Sequence, residues 1–151
     1  MKRRKTRFPS LCVDEHVPPS VTAMARLHLR TEEAARRKDL RGRDEHEYIA
    51  ELYSQNTVFV TSDAEFVEDV RASKTKHAGI IYVPNRLTIA EQEDFVEIAA
   101  VFVRGSCKSS IFGFRDCIVF PGHDGFRLMR PKQGNQLAFS WHWLREVRSD
   151  E

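Results

Sequence analysis

Thr57-Val58-Phe59-Val60-Thr61-Ser62-Asp63-Ala64-Glu65-Phe66 changes character half-way along. Its first five residues are β-branched or aromatic and read as a buried strand, and the Ser-Asp-Ala-Glu that follows opens a helix. A second segment has the same grammar: Leu11-Cys12-Val13 stops abruptly at Asp14-Glu15-His16, and Pro18-Pro19-Ser20 starts a helix whose first turn suits proline. Val21, Met24, Ala25 and Leu27 to Leu29 give that helix its apolar stripe. A third strand, Gly79-Ile80-Ile81-Tyr82-Val83, is stopped by Pro84. Thr88 with Glu91 then caps a long helix carrying Phe95, Ile98, Ala99 and Phe102. Strands alternating with helices predict βαβ units and an α/β fold around a mostly parallel sheet. In such sheets the functional crevice lies beyond the carboxyl ends of the strands, which makes the positions of Asp14 and Asp63 informative.

Between these segments the pattern is less regular. Asp44 is expected at the N-cap of a helix that buries Tyr48, Ile49, Leu52 and Tyr53, with Glu47 completing a capping-box-like pair. The stretch 31–43 is highly charged, ends in the Arg41-Gly42-Arg43 turn, and reads as a helix extension or a loop. Within 116–130, Cys117-Ile118-Val119-Phe120 and Phe126-Arg127-Leu128-Met129 flank a Gly-rich turn and predict a β-hairpin. The tail, with Leu137, Phe139, Trp141, Trp143 and Leu144, is expected to pack back on the domain. Trp141 and Trp143 read as packing or as a subunit interface, which leaves a homodimer open. With no internal repeat and no long linker, 1–151 is expected to be one domain.

Composition sets the outer bounds. At 151 residues, 41% hydrophobic and 30% charged, the chain has the make-up of an ordinary folded domain. No apolar run approaches the roughly 18 residues of a membrane span, and no apolar segment follows the basic residues 1–7 as a secretory signal requires. A cytoplasmic protein without a membrane partner is expected. Cys12, Cys107 and Cys117 are odd in number and lack CxxC spacing, against both a disulfide framework and a Cys-rich zinc site. The net charge of +2 hides segregation. Residues 1–43 hold 12 Lys/Arg against 5 Asp/Glu, residues 44–100 hold 4 against 12, and residues 101–151 hold 8 against 5. A basic front and tail around an acidic middle suit an anionic polymer meeting a cation-binding centre.

Asp14 and Asp63 should reach the same sheet edge, and the helix start at Asp44 can face it, with Glu65 close by. Carboxylates gathered in this way repel one another and raise each other's pKa unless a cation intervenes. Hard, oxygen-preferring Mg²⁺ or Mn²⁺ resolves that conflict and can support phosphodiester hydrolysis. Arg36, Arg37, Lys38, Arg41 and Arg43, just upstream, would grip the phosphates of RNA. Other constellations are weaker. His16, His46 and His123 lack the paired spacing of a zinc motif, and Cys117 with His123 and His142 is an incomplete set. Ser62 and Ser106 lack a nucleophile-elbow setting, and no Gly-rich phosphate loop suggests ATP use.

Three segments together resemble small PIN-like proteins. Leu11-Cys12-Val13-Asp14-Glu15-His16-Val17-Pro18-Pro19 is similar to that family's opening of an apolar strand, Asp-Glu and Leu/Val-Pro-Pro. Asp44-Glu45-His46-Glu47-Tyr48-Ile49-Ala50 resembles its "Asp, two residues, then Ile-plus-small" helix, and Val58 to Phe66 is close to its Val-Thr-x-Asp-x-Asp-Phe signature. The resemblance covers roughly 8–130 and leaves 131–151 as a C-terminal extension. It implies a three-layer α/β/α, Rossmann-like fold closed by a β-hairpin. It also implies a Mg²⁺- or Mn²⁺-dependent endoribonuclease of the kind that includes toxins of toxin–antitoxin pairs, with RNA and an antitoxin protein as partners. By resemblance, Asp14, Asp44 and Asp63 are the metal-binding acids, Glu65 stands where the family has a fourth, and Thr61 orients the site. Where the family has its second strand, this sequence carries its Arg/Lys-rich stretch, which does not read as one. The alternative from another class is a catalytically inactive PIN-like module that binds nucleic acid or a partner protein.

Overall fold

The computed structural model describes residues 8–106, 114–122, 125–130 and 135–140, with Arg130 and 135–140 described by their backbone alone. Cys107, His123, Trp141, His142, Trp143 and Leu144, as well as the basic residues 1–7, lie outside the described residues. The elements run β1 (Ser10–Val13), α1 (Pro19–Arg26), β2 (Thr31–Glu33), a 3-10 turn (Ala34–Arg36), α2 (Glu45–Ser54), β3 (Thr57–Thr61), α3 (Ala64–Ser73), β4 (Ile80–Tyr82), α4 (Ile89–Ser106), β5 (Ile118–Gly122), β6 (Gly125–Arg130) and β7 (Asn135–Ser140). They form one seven-stranded sheet in the order β2-β1-β3-β4-β5-β6-β7. The first five strands pair in parallel, and β5, β6 and β7 are antiparallel. The expected hairpin is thus β5–β6, extended by a third strand.

Strand side chains alternate between two faces, and each face has its own core. Leu11, Val13, Val58, Val60, Ile81 and Val119 pack under α1 and α4 with Val21, Ala25, Phe95 and Ala99. Cys12, Phe59, Ile80 and Ile118 pack on the other face under α2 and α3 with Ile49, Leu52, Phe66 and Val70. Helices therefore cover both faces of the parallel part. Leu27, expected on the α1 stripe, falls at the C-cap instead and is exposed. The cap at Thr88 forms as expected, with Glu91 accepting from the Thr88 N–H at 2.9 Å and Thr88 Oγ1 accepting from the Glu91 N–H at 3.1 Å. From β3 to β4 and from β4 to β5 the chain steps the same way along the sheet, yet α3 and α4 lie on opposite faces. One of these two crossovers therefore departs from the usual right hand.

Two readings of 31–43 and its surroundings need correction. Thr31–Glu33 is a strand, paired to β1 with Leu11 opposite Thr31, where a helix extension or loop was expected. It escapes an apolar-run criterion because it is a short edge strand whose Glu32 and Glu33 remain partly exposed and ion-paired. Asp44 does occupy the N-cap of α2, but its side chain makes no capping hydrogen bond, and Glu47 lies 3.7 Å from Arg43 instead of completing a capping box.

Candidate acidic site at the strand ends

The chain leaves β1 through α1 on one face to β2, then returns across β1 through α2 on the other face to β3. Consecutive crossovers that part in this way open a crevice at the carboxyl ends of β1 and β3. Register places the acids there. Val13 pairs with Val60, so Asp14 and Thr61 are the next residues on neighbouring strands. Asp14 is 5% exposed and Thr61 is fully buried.

Thr61 ties the two strand ends together. Its hydroxyl donates to Asp14 Oδ2 at 3.1 Å and accepts from the Asp63 N–H at 3.1 Å. Asp14 Oδ1 accepts from the Glu15 N–H at 2.8 Å. Burial pushes the Asp14 pKa above the ordinary carboxylate value, against the Thr61 and Glu15 hydrogen bonds, which favour the charged form. Asp63 caps α3 by accepting from the Phe66 N–H at 3.1 Å. Each acid is thus held by backbone or by Thr61, and no cation neutralises it in these contacts.

The third acid at this site is Glu45, one residue beyond the expected Asp44. From the first position of α2 its carboxyl forms a hydrogen bond with Asp63. Burial, followed by the like charges of Asp14 and Asp63, pushes its pKa up to about 7. Helix phase carries the signal that finds it: Glu45, Ile49 and Leu52 stand at i, i+4 and i+7, and the latter two are core. Asp44 lines the same cavity without a shared hydrogen bond to the other acids. Glu65 lies in the first turn of α3 and is exposed. Buried Tyr48 adds a hydroxyl to the wall, and burial beside Asp14 and Glu45 raises its pKa, so it stays protonated.

The cavity has a volume of about 720 Å³ and runs from Asp14, Glu15, Asp44 and Glu45 to Leu40, Arg41, Gly42 and Arg43, while Asp63 and Glu65 do not line it. Gly42 has φ 79°, the left-handed conformation that a tight Arg-Gly-Arg turn demands. The five expected phosphate-binding residues divide. Arg41 and Arg43 line the cavity, and each also donates to backbone carbonyls. Arg36 pairs with Glu33 at 3.1 Å, and Arg37, its side chain 15% exposed, is committed to Asp39 and Glu32. Lys38 is exposed on the same stretch.

Oxygen donors of this kind fit a hard divalent ion, and their mutual repulsion gives such an ion something to neutralise. Among the described residues, no three His, Cys, Asp or Glu side chains already form a metal-binding group. The Glu45–Asp63 hydrogen bond is the contact that an ion would have to replace. His16 pairs with exposed Glu15 at 3.6 Å, and His46 packs edge-on against Phe66, so neither joins the acids. No helix among the described residues is long and apolar enough to cross a membrane. Comparison of the chain with protein-family models, curated proteins and solved structures finds no match.

Proposed function

We propose that this chain is a PIN-like, metal-dependent endoribonuclease, of the class that includes toxins of toxin–antitoxin pairs. The observation that carries the reading is the meeting of Asp14, Glu45 and Asp63 at the split between β1 and β3, with Arg41 and Arg43 lining the cavity that Asp14 and Glu45 share. Asp14, Glu45 and Asp63 would hold Mg²⁺ or Mn²⁺, with Asp44 beside them. Such an ion, when bound, supplies charge neutralisation at a scissile phosphate and lowers the pKa of water.

The chain's own residues do the rest. Thr61 fixes the Asp14 carboxylate so that its geometry does not depend on the ligand. Glu45 gives up its proton at near-neutral pH, so an arriving cation displaces a proton at little cost. Arg41 and Arg43 hold phosphates flanking the cleaved bond, which fixes the strand relative to the acids. A volume of about 720 Å³ admits a nucleotide. Cleavage of single-stranded RNA tests the reading. It is expected with Mn²⁺ or Mg²⁺, and is expected to vanish in EDTA and in an Asp14→Asn, Asp63→Asn variant. Full activity in chelator would remove the mechanism.

A second reading, a non-catalytic module that binds nucleic acid or a protein, is favoured by the Glu45–Asp63 hydrogen bond, which satisfies two acids without an ion. Calorimetric titration with Mn²⁺ at pH 7.5 separates the readings. Uptake lost in the double variant supports the nuclease, and no uptake supports the module.

A further inference from the structure

A second cavity, about 520 Å³, lies at the opposite end of the sheet, where α3 ends and β4 and β5 begin. Val70, Arg71, Lys74, Thr75, Lys76, His77 and Asp116 line it. His77 is 1% exposed, yet it precedes a strand in which nothing requires an imidazole. Its Nδ1 accepts from the Gly79 N–H at 3.1 Å, so the ring carries its proton on Nε2. That arrangement is rigid. Gly79 has φ 130°, and a Cβ there would fall 2.1 Å from the Phe114 ring, so only glycine can present this N–H. Among the described residues, no acceptor meets the Nε2–H of His77. That donor is not sealed off: among the described residues the one buried side-chain polar atom without a partner is Gln92 Oε1, so the Nε2–H of His77 opens on the cavity, where water or a ligand supplies its acceptor.

The charges say what kind of acceptor fits. Arg71, Lys74 and Lys76 face the cavity against the single carboxylate of Asp116 and about half a negative charge from the carbonyl end of α3. Asp116 is itself held, accepting from the His77 N–H at 3.2 Å while its own N–H donates to the His77 carbonyl at 2.9 Å. Arg71 shares its guanidinium with Glu68, so Lys74 and Lys76 are the cations left for a ligand. Burial pushes the His77 pKa down to about 4 despite Asp116, so the ring is a neutral donor throughout the physiological range. Two ammonium groups beside a neutral N–H offer three separate donors to one small anion. A phosphate monoester presents three strong acceptor oxygens on one centre and carries about −1.5 to −2 at pH 7, whereas a single carboxylate has only two oxygens to share among them.

The geometry points to a second, non-catalytic binding site in this cavity for a small phosphate-bearing anion, held by Lys74, Lys76 and the Nε2–H of His77. It stands apart from the acidic cavity and does not rest on the nuclease reading.

The test is a titration of isotope-labelled full-length protein with inorganic phosphate at pH 7.5, with chloride adjusted to constant ionic strength. The ring nitrogens of His77 are followed by NMR. A saturable shift of the Nε2 signal is expected. It should weaken at least about tenfold in a Lys74→Gln, Lys76→Gln variant, the loss that accompanies removal of a charge-assisted hydrogen bond. Both lysines are exposed, so the variant should fold, and its Mn²⁺ uptake should be unchanged. Three results would overturn the proposal: no saturable shift, phosphate binding unaffected by the double variant, or acetate binding as tightly as phosphate.

Discussion

Glu45 and His77 stand at opposite ends of the same sheet, and both are shifted toward their neutral forms, so that Glu45 titrates near pH 7 while His77 is neutral there, for partly different reasons. Burial is the largest influence on each. At Glu45, the surrounding charges Asp14 and Asp63 have the same sign as its own ionised form and push its pKa further in the direction burial has taken it. At His77, Asp116 favours the charged ring and pulls against burial, and burial wins. The difference separates a site that gains from a cation from one that does not need one. At the acidic end a cation relieves the like-charge repulsion around Glu45 itself, whereas the charge nearest His77, Asp116, is one that favours its protonated ring. At the basic end the imidazole serves as a fixed donor.

The largest expected effect breaks the acidic end alone. Asp14→Asn keeps shape but removes the charge held between Thr61 and Glu15, and RNA cleavage should fall by more than about 100-fold. Loss of a residue that only supports a ligand costs about 10–100-fold, and that lower range is the expectation for Thr61→Val. Thr61→Val also strips the acceptor from the Asp63 N–H in a fully buried position, so stability should drop by about 1–3 kcal/mol. Steady-state kinetics and urea unfolding check both. Thr61→Val with unchanged cleavage would show that Asp14 needs no orientation.

The two ends should give stability profiles of opposite slope. The folded-state pKa of Glu45 lies above its ordinary 4.5, so its contribution is fully present below 4.5 and is lost as pH rises through about 7. The folded-state pKa of His77 lies below 6.5, so its contribution is fully present above 6.5 and is lost as pH falls through about 4. Glu45→Gln should therefore raise the Tm at pH 8 and leave it nearly unchanged at pH 4.5, and saturating Mn²⁺ should narrow the pH 8 gap by stabilising the unmutated protein. His77→Gln should flatten the acid limb, where deep burial of the ring is worth at most about 3 kcal/mol. Thermal unfolding from pH 4 to 8 measures both. Parallel profiles in the two variants would mean that the ends do not differ as described.

How much of this was legible in the sequence differs along the chain. The ends of β1 and β3 were readable because an apolar run, buried on both faces, stops at an acid with no ambiguity of phase. The capping box at Thr88 and the β5–β6 hairpin were readable because their signals are local. Asp44 and Glu45 were harder, since one step along a helix turns a side chain by about 100° and the N-cap residue lies outside the helical phase. Extending the Ile49, Leu52 face backward would have singled out Glu45. β2 gave no warning because an edge strand made of Thr31, Glu32 and Glu33 has no apolar run to detect. His77 was silent as well, because what makes it unusual is Gly79 and Asp116, and the latter lies 39 positions away.

The smallest expected effect divides the basic stretch itself. If RNA enters at the mouth of the acidic cavity, Arg41 and Arg43 meet its phosphates, while Arg36 and Arg37 are already committed to Glu33, Asp39 and Glu32. For single strands, log affinity against log salt changes by about −0.7 per phosphate neutralised, so Arg41→Gln with Arg43→Gln should flatten the slope by roughly 1.4. The Arg36→Gln, Arg37→Gln pair should leave the slope within error and instead lower stability, because Arg37 is largely buried in its ion pairs. Fluorescence anisotropy with a labelled RNA from 50 to 300 mM salt (a window of about that width) resolves a change of this size. Equal flattening by both pairs would mean that the ion pairs of Arg36 and Arg37 open on binding, and the whole stretch would then be one phosphate-binding surface. No flattening by either would move the RNA path off this stretch, leaving the acids without the positioning charges that the nuclease reading assigns to them.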